Sequence, residues 1–548
     1  MWRSFENPAV HKQASDAVLQ ADVLVIGGSI AGCWAALVAK QNGAKRVVVC
    51  EKGIVGQAGV VAQASGSAAY LIPGADDYNE KLIHSRHAAA EDMDDLDFVR
   101  YVFGESYQIA LQLQALGFES EVERPDINGV RSNLLAFDGA NALGFFRQLL
   151  LSSGVSILDH SPALELLQNE HGDIVGANGI NTQLHHTWTV LAGATILATG
   201  GNAFRSGAMG THNTTGDGHL LAAEAGATFS GMEFSGHYGI SPQGSHTTKG
   251  FWLSSATFYD GNGQEIRSNG WESVHLVGKA ILETGGAYAS MNRGNASLKV
   301  FAQGVPSIYE HFQRVGIDPF TEKFPIELRY EGLIRSVGGI VIDDEGNTGV
   351  NGLFAVGDVT ERSKMTGAAM SGAGPAIAWC LVSAKIAGKH AAAWALERPV
   401  NPQQALHGLG GVGLRPHKAS KRFHGAEVLQ TVQTHILPIE NTVFRSLNQV
   451  QQSLSTLNAL WQEQQQQLTP QNLPDALLAR EAAAMLLDAR MMLTAASQRL
   501  ETRGLHRLRE HPQADAAQKQ HILLKGLDTL QWRKTTARPT AKRLLEVN

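Results

Sequence analysis

Cysteine is scarce in this chain of 548 residues, which contains only Cys33, Cys50 and Cys380. No two of them lie close enough in the sequence to form a metal-binding pair, which argues against a disulfide framework and against an iron–sulfur cluster or c-type haem held by this chain. No apolar run approaches the roughly 18 residues of a membrane span. The first residues, MWRSFENPAVHKQ, show no apolar stretch behind a charged one. We therefore predict no signal peptide and a reducing cytoplasm as the location.

An excess of charge of one sign is also lacking. The formal net charge is −6, from 45 Lys and Arg against 51 Asp and Glu. This charge gives no reason to expect nucleic acid as a ligand, because nucleic acid normally requires a concentrated basic face.

The chain is longer than a domain with a single hydrophobic core, so two to four domains are expected. Glycine, by contrast, is abundant at 58 residues. This abundance indicates many places where the backbone takes a positive φ or closely approaches a neighbour.

The first clear motif is a glycine-rich turn between a strand and a helix. A strand-like run, Val23–Ile26, meets Gly27-Gly-Ser-Ile-Ala-Gly32, and an alanine-rich helical stretch and a second strand, Arg46–Glu51, follow. This order predicts a βαβ unit, the opening of a dinucleotide-binding fold. The turn departs from GxGxxG because Ser29 holds the place of the middle glycine. Serine is small enough for a nucleotide pyrophosphate to approach the backbone N–H groups of the turn.

An acidic residue follows this turn at the sequence distance that is typical of dinucleotide-binding folds. Glu51 ends the second strand about twenty residues on, where a carboxylate accepts a hydrogen bond from the ribose of a non-phosphorylated adenosine. The alternative is a hydrogen-bonded surface glutamate. Two later stretches, Ala198-Thr-Gly-Gly201 and Gly352-Leu-Phe-Ala-Val-Gly-Asp358, resemble flavoprotein signatures, and the acid of the second typically meets the ribityl chain. We therefore predict FAD, with electrons arriving from a substrate or a partner because no second glycine fingerprint indicates an NAD(P) domain.

The order of these elements resembles the flavoprotein subunits of the succinate dehydrogenase/fumarate reductase superfamily. Further stretches that carry the resemblance are Thr214-Thr-Gly-Asp-Gly218, Met232-Glu-Phe234, Gly338–Asp358 and Leu500-Glu-Thr-Arg-Gly-Leu-His506. The resemblance implies an α/β fold with a bipartite Rossmann-like FAD-binding domain, an inserted α+β capping domain and a C-terminal helical bundle. The expected ranges are 1–234 and 330–400 for the two parts of the FAD-binding domain, 235–329 for the capping or substrate domain, and 420–548 for the helical domain.

The candidate cofactor-binding residues belong to these motifs or adjoin them, and Asp217 is carried over from the family as an FAD contact. They are Gly27, Gly28, Ser29, Ala31, Gly32, Glu51, Lys52, Gly59, Gln63, Ala64, Ser65, Thr199, Gly200, Asp217, Asp358, Gly374, Pro375 and Ala376. No metal ligands are predicted.

One departure from the family concerns how the flavin is held. Succinate and fumarate enzymes attach FAD to a histidine in a segment like SHTVAAEGGSAA. Here the segment 58–69 reads AGVVAQASGSAA, with Gly59 at the position of the histidine. Glycine has no nucleophile, so noncovalent FAD is predicted.

A second departure concerns the substrate. The family holds dicarboxylates with an arginine in a motif like HGANRLGSNS, because a guanidinium fork matches a carboxylate. The corresponding stretch, 365–375, reads MTGAAMSGAGP and contains neither arginine nor histidine. The proton-shuttle elements TEGCR and VSRAI become TKGFW at 248–252 and VGKAI at 277–281. Fumarate reduction and the oxidation of succinate or aspartate are therefore not expected.

Three side chains are candidate catalytic residues, each with a structural alternative. Lys279 replaces the arginine of VSRAI, and it is either a proton source or anion anchor beside the flavin or a solvated lysine on a helix. His237 lies near a substrate-binding histidine of the family and is either a ligand or a hydrogen-bonded core residue. Trp252 either lines the substrate pocket or belongs to the core.

Within the superfamily, the chain most resembles the adenylylsulfate reductase alpha-subunit branch, on the basis of noncovalent FAD, Val61-Ala-Gln63, Gly250-Phe-Trp252 and the missing arginine. Members of that branch work with a separate ferredoxin-type subunit. We predict an FAD-dependent dehydrogenase or reductase acting on a small molecule other than succinate or fumarate, with a ferredoxin-type iron–sulfur partner. An adenylylsulfate-reductase-like sulfur-compound oxidoreductase and a non-catalytic flavin-bearing assembly subunit stay open as alternatives, as does the oligomeric state. The basic end, Arg533 to Arg543, is either a partner contact or a solvated tail.

Overall fold

The computed structural model describes residues 18–119, 134–248, 256–267, 273–303, 306–369, 373–415, 421–422, 424–466 and 468–541. Its strands are β1 Val18–Ile26, β2 Val47–Cys50, β3 Ser65–Ala69, β4 Leu134–Asp138, β5 Ser156–Leu158, β6 Ala163–Asn169, β7 Ile174–Asn181, β8 His186–Leu197, β9 Phe229–Ser230, β10 Tyr238–Pro242, β11 Thr257–Asp260, β12 Glu265–Ile266, β13 Ala287–Ser290, β14 Phe324–Tyr330, β15 Gly339–Ile340, β16 Leu353–Ala355, β17 Leu406–Gly408, β18 Lys421–Arg422, β19 Leu468–Thr469, β20 His521–Lys525 and β21 Gln531–Thr535. Its helices are α1 Ile30–Gln41, α2 Asp76–Ala89, α3 Leu96–Ala115, α4 Gly139–Ser152, α5 Asp217–Glu224, α6 Ser273–Thr284, α7 Ala296–Gln303, α8 Pro306–Val315, α9 Ser363–Thr366, α10 Ala373–Glu397, α11 Gly425–Ile436, α12 Ile439–Thr442, α13 Leu447–Gln466 and α14 Leu473–Gln498.

The central sheet has eight strands in the order β17-β6-β7-β8-β1-β2-β5, and β16 also pairs with β8. Strands β5, β2, β1, β8 and β16 run parallel. Strand β1 is buried from Val23 to Ile26, as its apolar run requires, since a parallel sheet is covered on both faces. Ile26 pairs with Cys50 on one side and Leu197 on the other. The residues that follow β1, β2 and β8 therefore meet at one edge of the sheet.

The second part of the nucleotide-binding domain returns to this sheet after a long insertion. Strand β16 joins β8 in parallel, and α10 packs against α1 and α3. Parallel strands require a crossover, so pairing between such distant segments is compatible with a domain assembled from two pieces of chain. The predicted α/β class and bipartite architecture are confirmed.

The insertion contains a five-stranded antiparallel sheet of its own, with the order β10-β14-β13-β11-β12. Helix α6 packs on this sheet, and the apolar side chains between them, including Ile240, Phe258, Val277 and Phe324, form a separate core. A separate core is the physical basis for a unit that folds as a cap. The expected boundaries at 235 and 329 stay predictions.

The C-terminal region is helical up to residue 498. In α13, Val450, Leu457 and Trp461 are buried on one stripe, as their spacing of seven and four residues predicts for an amphipathic helix. Helix α14 is buried along most of its length, and its side chains join a hydrophobic core that includes Leu24 and Ile26 of β1. None of the helices in the described part of the chain combines the length and apolarity needed to cross a membrane.

The sequence of 516–530, which begins with two alanines, predicts a helix, and this prediction is wrong. Residues 516–530 do not form a helix beyond a short 3-10 turn at Ala516–Gln518, and β20 and β21 follow instead. Strand β20 pairs with β9 and β21 in a four-stranded sheet, where Ile522 and Leu524 are buried. Tertiary pairing thus overrides the local helical pattern, because the free edge of β9 offers backbone partners that a helix would leave unused.

The basic end is partly packed on the same chain. Arg538 Nη1 lies 2.5 Å from Asp95 Oδ2 near the start of α3. Residues 542–548 of that end lie outside the described ranges.

Candidate active site

The glycine turn lies where three parallel strands end, and it has no room for side chains. Gly27 has a φ of 113°, and a Cβ on it would lie 2.3 Å from the carbonyl oxygen of Ala198. A Cβ on Gly28 would lie 2.8 Å from Val55 Cγ2, and one on Gly32 would lie 1.8 Å from the Gly27 oxygen. These close approaches require glycine and leave backbone N–H groups at the start of α1 for a ligand.

Ser29 stands at the N-terminus of α1 in extended conformation, and its hydroxyl does not cap the helix. The hydroxyl instead faces Gly59, where a Cβ would lie 2.9 Å from Ser29 Oγ. Gly59 has a φ of 81°. Ala31, the second residue of the helix, is buried next to Gly357, where a Cβ would lie 3.1 Å from Ala31 Cβ. Gly59 and Ser29 thus lie side by side at the positive end of the helix dipole.

Glu51 is part of the turn rather than a surface residue. The side chain is buried, with Oε2 accepting a hydrogen bond of 2.7 Å from the Gly28 N–H and Oε1 accepting one of 3.0 Å from the Gly53 N–H. Burial raises the pKa of Glu51, although these two hydrogen bonds oppose the shift. The carboxylate is therefore positioned at the turn, as a ribose-binding acid must be.

Lys52 and Asp217 lie together, in contact with the C-terminal helical region. Lys52 Nζ lies 2.5 Å from Asp217 Oδ2 and 2.8 Å from Glu481 Oε1 of α14, and it donates a hydrogen bond of 2.8 Å to Thr215 Oγ1. Burial lowers the pKa of Lys52, but the two carboxylates outweigh it and the net pKa is raised. Glu481, which also pairs with Arg205, was not identified from the sequence because it lies 429 residues from Lys52.

The segment after Gly59 borders the turn. Val60–Gln63 forms a 3-10 turn, in which the Gln63 side chain is exposed, and Ala64 follows it half-buried. Ser65 then begins β3. A Cβ on Gly139 at the start of α4 would lie 1.7 Å from the carbonyl oxygen of Val61. The backbone of this segment is therefore held in place by α4.

The segment after β8 offers an unsatisfied hydroxyl. Thr199 Oγ1 is buried with no hydrogen-bond partner among the described residues, and a Cβ on Gly218 would lie 2.2 Å from it. Gly200 has a φ of 75°. Buried hydroxyls normally have partners, so Thr199 indicates a ligand at this position.

The second part of the domain contributes Asp358 and the start of α10. Asp358 Oδ2 accepts a hydrogen bond of 3.2 Å from the Arg335 N–H, and Oδ1 pairs with Arg362. The remaining predicted contacts, Gly374, Pro375 and Ala376, form the buried first turn of α10. A second helix N-terminus therefore lies in this half of the domain.

These residues fit FAD. The turn without side chains at the start of α1 suits a pyrophosphate, the Glu51 carboxylate suits a ribose, and the unpaired Thr199 hydroxyl needs a partner. Within the described ranges no group of three or more His, Cys, Asp and Glu is placed to hold a metal ion.

His237 lies at the junction between the cap sheet and the nucleotide-binding domain. It is buried, its Nδ1 is 2.9 Å from the Ile334 carbonyl oxygen, and its Nε2 is 3.9 Å from Glu331 Oε2. Glu331 accepts a hydrogen bond of 2.7 Å from Arg335 Nη2. A polar network therefore runs from His237 through Glu331 and Arg335 to Asp358.

Sequence reasoning did not identify Glu331 and Arg335. Arg335 has a φ of 54°, a left-handed conformation that is uncommon for a residue other than glycine and is concentrated at functional sites. No sequence motif signals this conformation. The backbone conformation of Arg335 belongs to the segment in which the chain leaves β14 and returns to the nucleotide-binding domain.

Lys279 makes no described contact with the glycine turn or with His237. Lys279 lies on the solvent side of α6, its side chain is 56% exposed, and Nζ is 3.7 Å from Glu283 Oε1. This is the geometry of a surface ion pair, so a catalytic role for Lys279 stays a prediction. Trp252 lies outside the described residues.

The stretch that replaces the family's arginine motif is packed with small residues. A Cβ on Gly367 would lie 2.1 Å from the Ala90 carbonyl oxygen, and Ala368 is buried. The cation of 363–369, Lys364, pairs with Asp344 at 3.1 Å. Met370, the next residue of this stretch, lies outside the described residues.

The stretch 500–506 is a buried ionic layer beneath this site. Arg499 Nη2 lies 2.8 Å from Glu233 Oε1, and Arg503 Nε lies 2.8 Å from Glu501 Oε1. His506 Nε2 is 2.9 Å from the Arg499 carbonyl oxygen. The layer joins the helical region to the residues after β9, which explains why charged residues are buried here.

Two protein families match this chain. Residues 22–375 match the family described as "FAD binding domain", and residues 432–544 match the family described as "Fumarate reductase flavoprotein C-term". The first match covers more than half of the chain.

Curated relatives are named L-aspartate oxidase. The protein of Mycobacterium leprae is 28% identical over 526 residues, covering 90% of this chain and 93% of the relative. The protein of Streptomyces coelicolor is 26% identical over 565 residues, covering 94% and 93%. The departures at 248–252, 277–281 and 365–375 predict against aspartate oxidation, the activity for which these relatives are named.

Solved structures share the fold at low identity. A quinol-fumarate reductase with menaquinol molecules aligns with a TM-score of 0.80 at 20% identity, covering 95% of this chain and 99% of the other. The adenylylsulfate reductase of Archaeoglobus fulgidus aligns with a TM-score of 0.73 at 17% identity, covering 95% and 96%. The resemblance predicted from the sequence is confirmed.

Proposed function

This chain belongs to the FAD-binding flavoprotein family and is an FAD-dependent oxidoreductase, and we propose that it acts on a small molecule other than succinate or fumarate. We further propose that it exchanges electrons with a separate ferredoxin-type iron–sulfur protein. The substrate would bind at the junction of the cap sheet and the nucleotide-binding domain, where His237, Glu331 and Arg335 lie.

The observation that carries the substrate proposal is the state of Arg335 at this junction and of the two cations, Arg362 and Lys364, that follow Asp358 in the chain. Arg335 is paired with Glu331, and Arg362 is paired with Asp358. Lys364 points to Asp344. A dicarboxylate needs guanidinium forks that are available to it. Each of these three cations is paired with a carboxylate of the chain itself, and the two unpaired nitrogens of Arg362 are buried. This arrangement favours a substrate that is not a dicarboxylate.

His237 is the side chain best placed to move a proton. A carbonyl oxygen only accepts hydrogen bonds, so Nδ1 carries hydrogen toward Ile334, and Nε2 is the nitrogen that takes or releases a proton. Glu331, 3.9 Å from Nε2, stabilises the protonated imidazole. FAD, when bound, supplies or accepts the hydride or electron pair. The buried position of His237 keeps water away from the transferred proton.

The iron–sulfur partner is supported by the fold and by the electron balance. One glycine fingerprint is found, so no second nucleotide domain delivers electrons, and the aligned structures include the adenylylsulfate reductase and quinol-fumarate reductase flavoproteins. A flavin that receives two electrons from a substrate must pass them on before another turnover. A ferredoxin-type protein suits this step because it accepts electrons one at a time.

Anaerobic screening of the purified holoprotein tests the proposal. Succinate and fumarate should leave the oxidised and reduced flavin absorbance unchanged, and the true substrate should bleach it until a co-purifying ferredoxin restores the colour. Bleaching by succinate at the rate of a competent dehydrogenase contradicts the substrate proposal. Rapid peroxide release under air, with no need for a partner, contradicts the partner proposal.

A matched pair of variants tests the role of His237. His237→Gln should retain FAD and slow turnover of any bleaching substrate by about 100-fold, the scale of general acid–base catalysis. His246→Gln is the control, because His246 Nδ1 also lies 2.7 Å from a carbonyl oxygen, that of Gly207, but the side chain is exposed. Equal rates in both variants would rule out proton transfer by His237.

L-Aspartate oxidation is a second candidate, favoured by the names of the curated relatives. It predicts that L-aspartate bleaches the flavin and that air restores the colour with release of peroxide.

Sulfite with AMP, added in a parallel sample, tests an adenylylsulfate-reductase-like reaction. A holoprotein that responds to no substrate and to no ferredoxin would favour a flavin-bearing assembly subunit.

A further inference from the structure

His219 is a fully buried histidine that has no part in the proton transfer proposed above. It lies on α5, the helix that begins with the predicted FAD contact Asp217. Nδ1 of its ring is 2.9 Å from Asp488 Oδ1 and 3.0 Å from Asp488 Oδ2, and Nε2 is 3.1 Å from the carbonyl oxygen of Val359. The side chain therefore bridges α14 and the residue that follows Asp358.

The partners of the two ring nitrogens determine where hydrogen must lie. A carbonyl oxygen only accepts, so Nε2 carries a hydrogen toward Val359. Nδ1 is almost equidistant from the two oxygens of Asp488. This is the geometry of an N–H directed at a carboxylate, because a carboxylic acid would turn one oxygen alone toward the ring. Both nitrogens of His219 therefore donate, and the ring is an imidazolium.

Asp488 is oriented independently of this ring. Its side chain is fully buried, and Oδ2 accepts a hydrogen bond of 2.8 Å from Asn202 Nδ2. The amide of Asn202 is fixed in this orientation, because its Oδ1 accepts a hydrogen bond of 2.8 Å from the Phe204 N–H. Asp488 therefore accepts hydrogen bonds at both oxygens, as an ionised carboxylate does.

The charges around the ring favour its protonated form. Burial lowers the pKa of His219, but the charge of Asp488 and the hydrogen bonds to the ring outweigh burial, and the net pKa is raised. Asp217, which pairs with Lys52 at 2.5 Å, adds to this effect. The phenol of Tyr330 also senses Asp488, and burial raises its pKa, so it stays neutral.

The pair formed by the imidazolium and its carboxylate joins the segments that carry two predicted FAD contacts. A Cβ on Gly216, the residue before Asp217, would lie 2.3 Å from Asp488 Oδ2. Val359 directly follows the second acid, Asp358, in a 3-10 turn. One buried side chain therefore fixes both acids relative to α14 of the helical region.

We propose that His219 is a positioning residue for FAD. Its imidazolium, with Asp488 as counter-ion, holds the Asp358 turn in a fixed place beside α5. A charge-assisted hydrogen bond to Val359 is stronger than a neutral one, which keeps the turn in place when FAD enters. The helical region thereby contributes to FAD binding, although the predicted FAD contacts lie elsewhere. This role concerns the FAD site alone and does not depend on the substrate or the partner proposed above.

Nitrogen NMR of the holoprotein with ¹⁵N-labelled histidine tests the charge. Exposed histidines are neutral at about pH 8.5, roughly two units above their ordinary pKa of 6.5. One histidine should still carry hydrogen on both nitrogens at this pH, and its signals should be missing in His219→Gln. A His219 signal with hydrogen on Nε2 alone would overturn the proposal, because the second proton would then reside on Asp488.

Asp488→Asn separates charge from shape. An asparagine can donate to Nδ1 and accept from Asn202, so the contacts of α14 are kept while the ring loses its counter-ion. The doubly protonated signal should disappear, and FAD should bind about fivefold more weakly, because the hydrogen bond to Val359 is no longer charge-assisted. Loss of the signal with unchanged FAD affinity would show that the charge has no role in binding and would overturn the proposal.

A matched pair of histidine variants tests the positioning role. His219→Gln should weaken FAD binding at least about tenfold in a fluorescence titration of the apoprotein, because one amide does not span both Val359 and Asp488. The control His521→Gln removes another buried histidine, on β20, and should bind FAD as the parent does. Equal affinities in the two variants would make His219 an ordinary core residue. If His219→Gln fails to fold, the loss of the doubly protonated signal in Asp488→Asn assigns that signal instead.

Discussion

Gly59 combines a left-handed backbone with a close neighbour. Its φ is 81°, and a Cβ would lie 2.9 Å from Ser29 Oγ at the start of α1. Gly59→Ala should therefore disturb the pyrophosphate turn and weaken FAD binding about tenfold, an effect of about 1.4 kcal/mol. Fluorescence titration of the apoprotein with FAD measures the change.

Gly74→Ala is the matched control for this substitution. Gly74 has a φ of 74°, and a Cβ added there would have no atom within 4 Å, so the substitution carries the backbone penalty of about 1 kcal/mol without the contact. Both variants should lose stability, but only Gly59→Ala should lose FAD affinity. Equal FAD affinities would show that Gly59 is required for its backbone alone.

His506 makes stability depend on pH. Burial, Arg445 and Arg499 hold its pKa well below the usual 6.5, and the ring accepts a hydrogen bond of 2.8 Å from Arg445 at Nδ1. Below pH 6.5 the His506 side chain binds a proton in the unfolded chain but stays neutral in the folded protein. The stability that His506 contributes is therefore complete above pH 6.5 and is lost as pH falls toward the folded pKa, by up to about 1.4 kcal/mol per pH unit.

Urea unfolding between pH 7 and 5 tests this prediction. The parent protein should lose stability more steeply than His506→Gln, which cannot titrate. His246→Gln, which alters an exposed histidine, should follow the parent. Parallel curves for His506→Gln and the parent would contradict a neutral buried His506.

At the scale of elements, the ion pair between Lys52 and Glu481 joins the end of β2 to α14. The side chains are 11% and 4% exposed, so removing Glu481 takes one buried carboxylate from Lys52, which keeps Asp217, and one from Arg205. Glu481→Gln should lower the free energy of unfolding by about 3 kcal/mol. Glu397→Gln, which breaks an exposed pair with Arg398, should change it by less than about 1 kcal/mol.

A double-mutant cycle with Lys52→Met separates the pair from its surroundings. The sum of the two single losses should exceed the loss in the double variant, because each single substitution already removes the contact between Lys52 and Glu481 and the double variant loses it only once. Additive losses would show that Lys52 and Glu481 do not stabilise each other.

At the scale of the whole molecule, the state of the flavin is the direct test of the departure at residues 58–69. Boiling the holoprotein and removing the precipitate should release all FAD into the supernatant, because Gly59 has no side chain to form a bond. A yellow pellet would contradict noncovalent binding. Flavin fluorescence of both fractions measures the result.

Much of the fold could be predicted because its signals are local. The apolar strand, the turn and the acid at the end of β2 lie within 34 residues, from Gln20 to Gly53, and the structure places them as expected. The strands that follow residue 520 could not be predicted, because the local sequence favours a helix. The partner strand β9, whose edge decides the outcome, lies some 290 residues away in the chain. Strand pairing over such distances leaves no local trace.

The sequence by itself determined the βαβ nucleotide site, the FAD cofactor and the absence of a histidine at position 59, because each depends on residue type and short spacing. Only the tertiary structure decided that Glu331 and Arg335 link His237 to Asp358, that Lys52 meets Glu481, and that Arg362 is buried against Asp358. Those contacts join segments that are distant in the chain. Their geometry is set by how sheets and helices pack, which spacing along the chain does not encode.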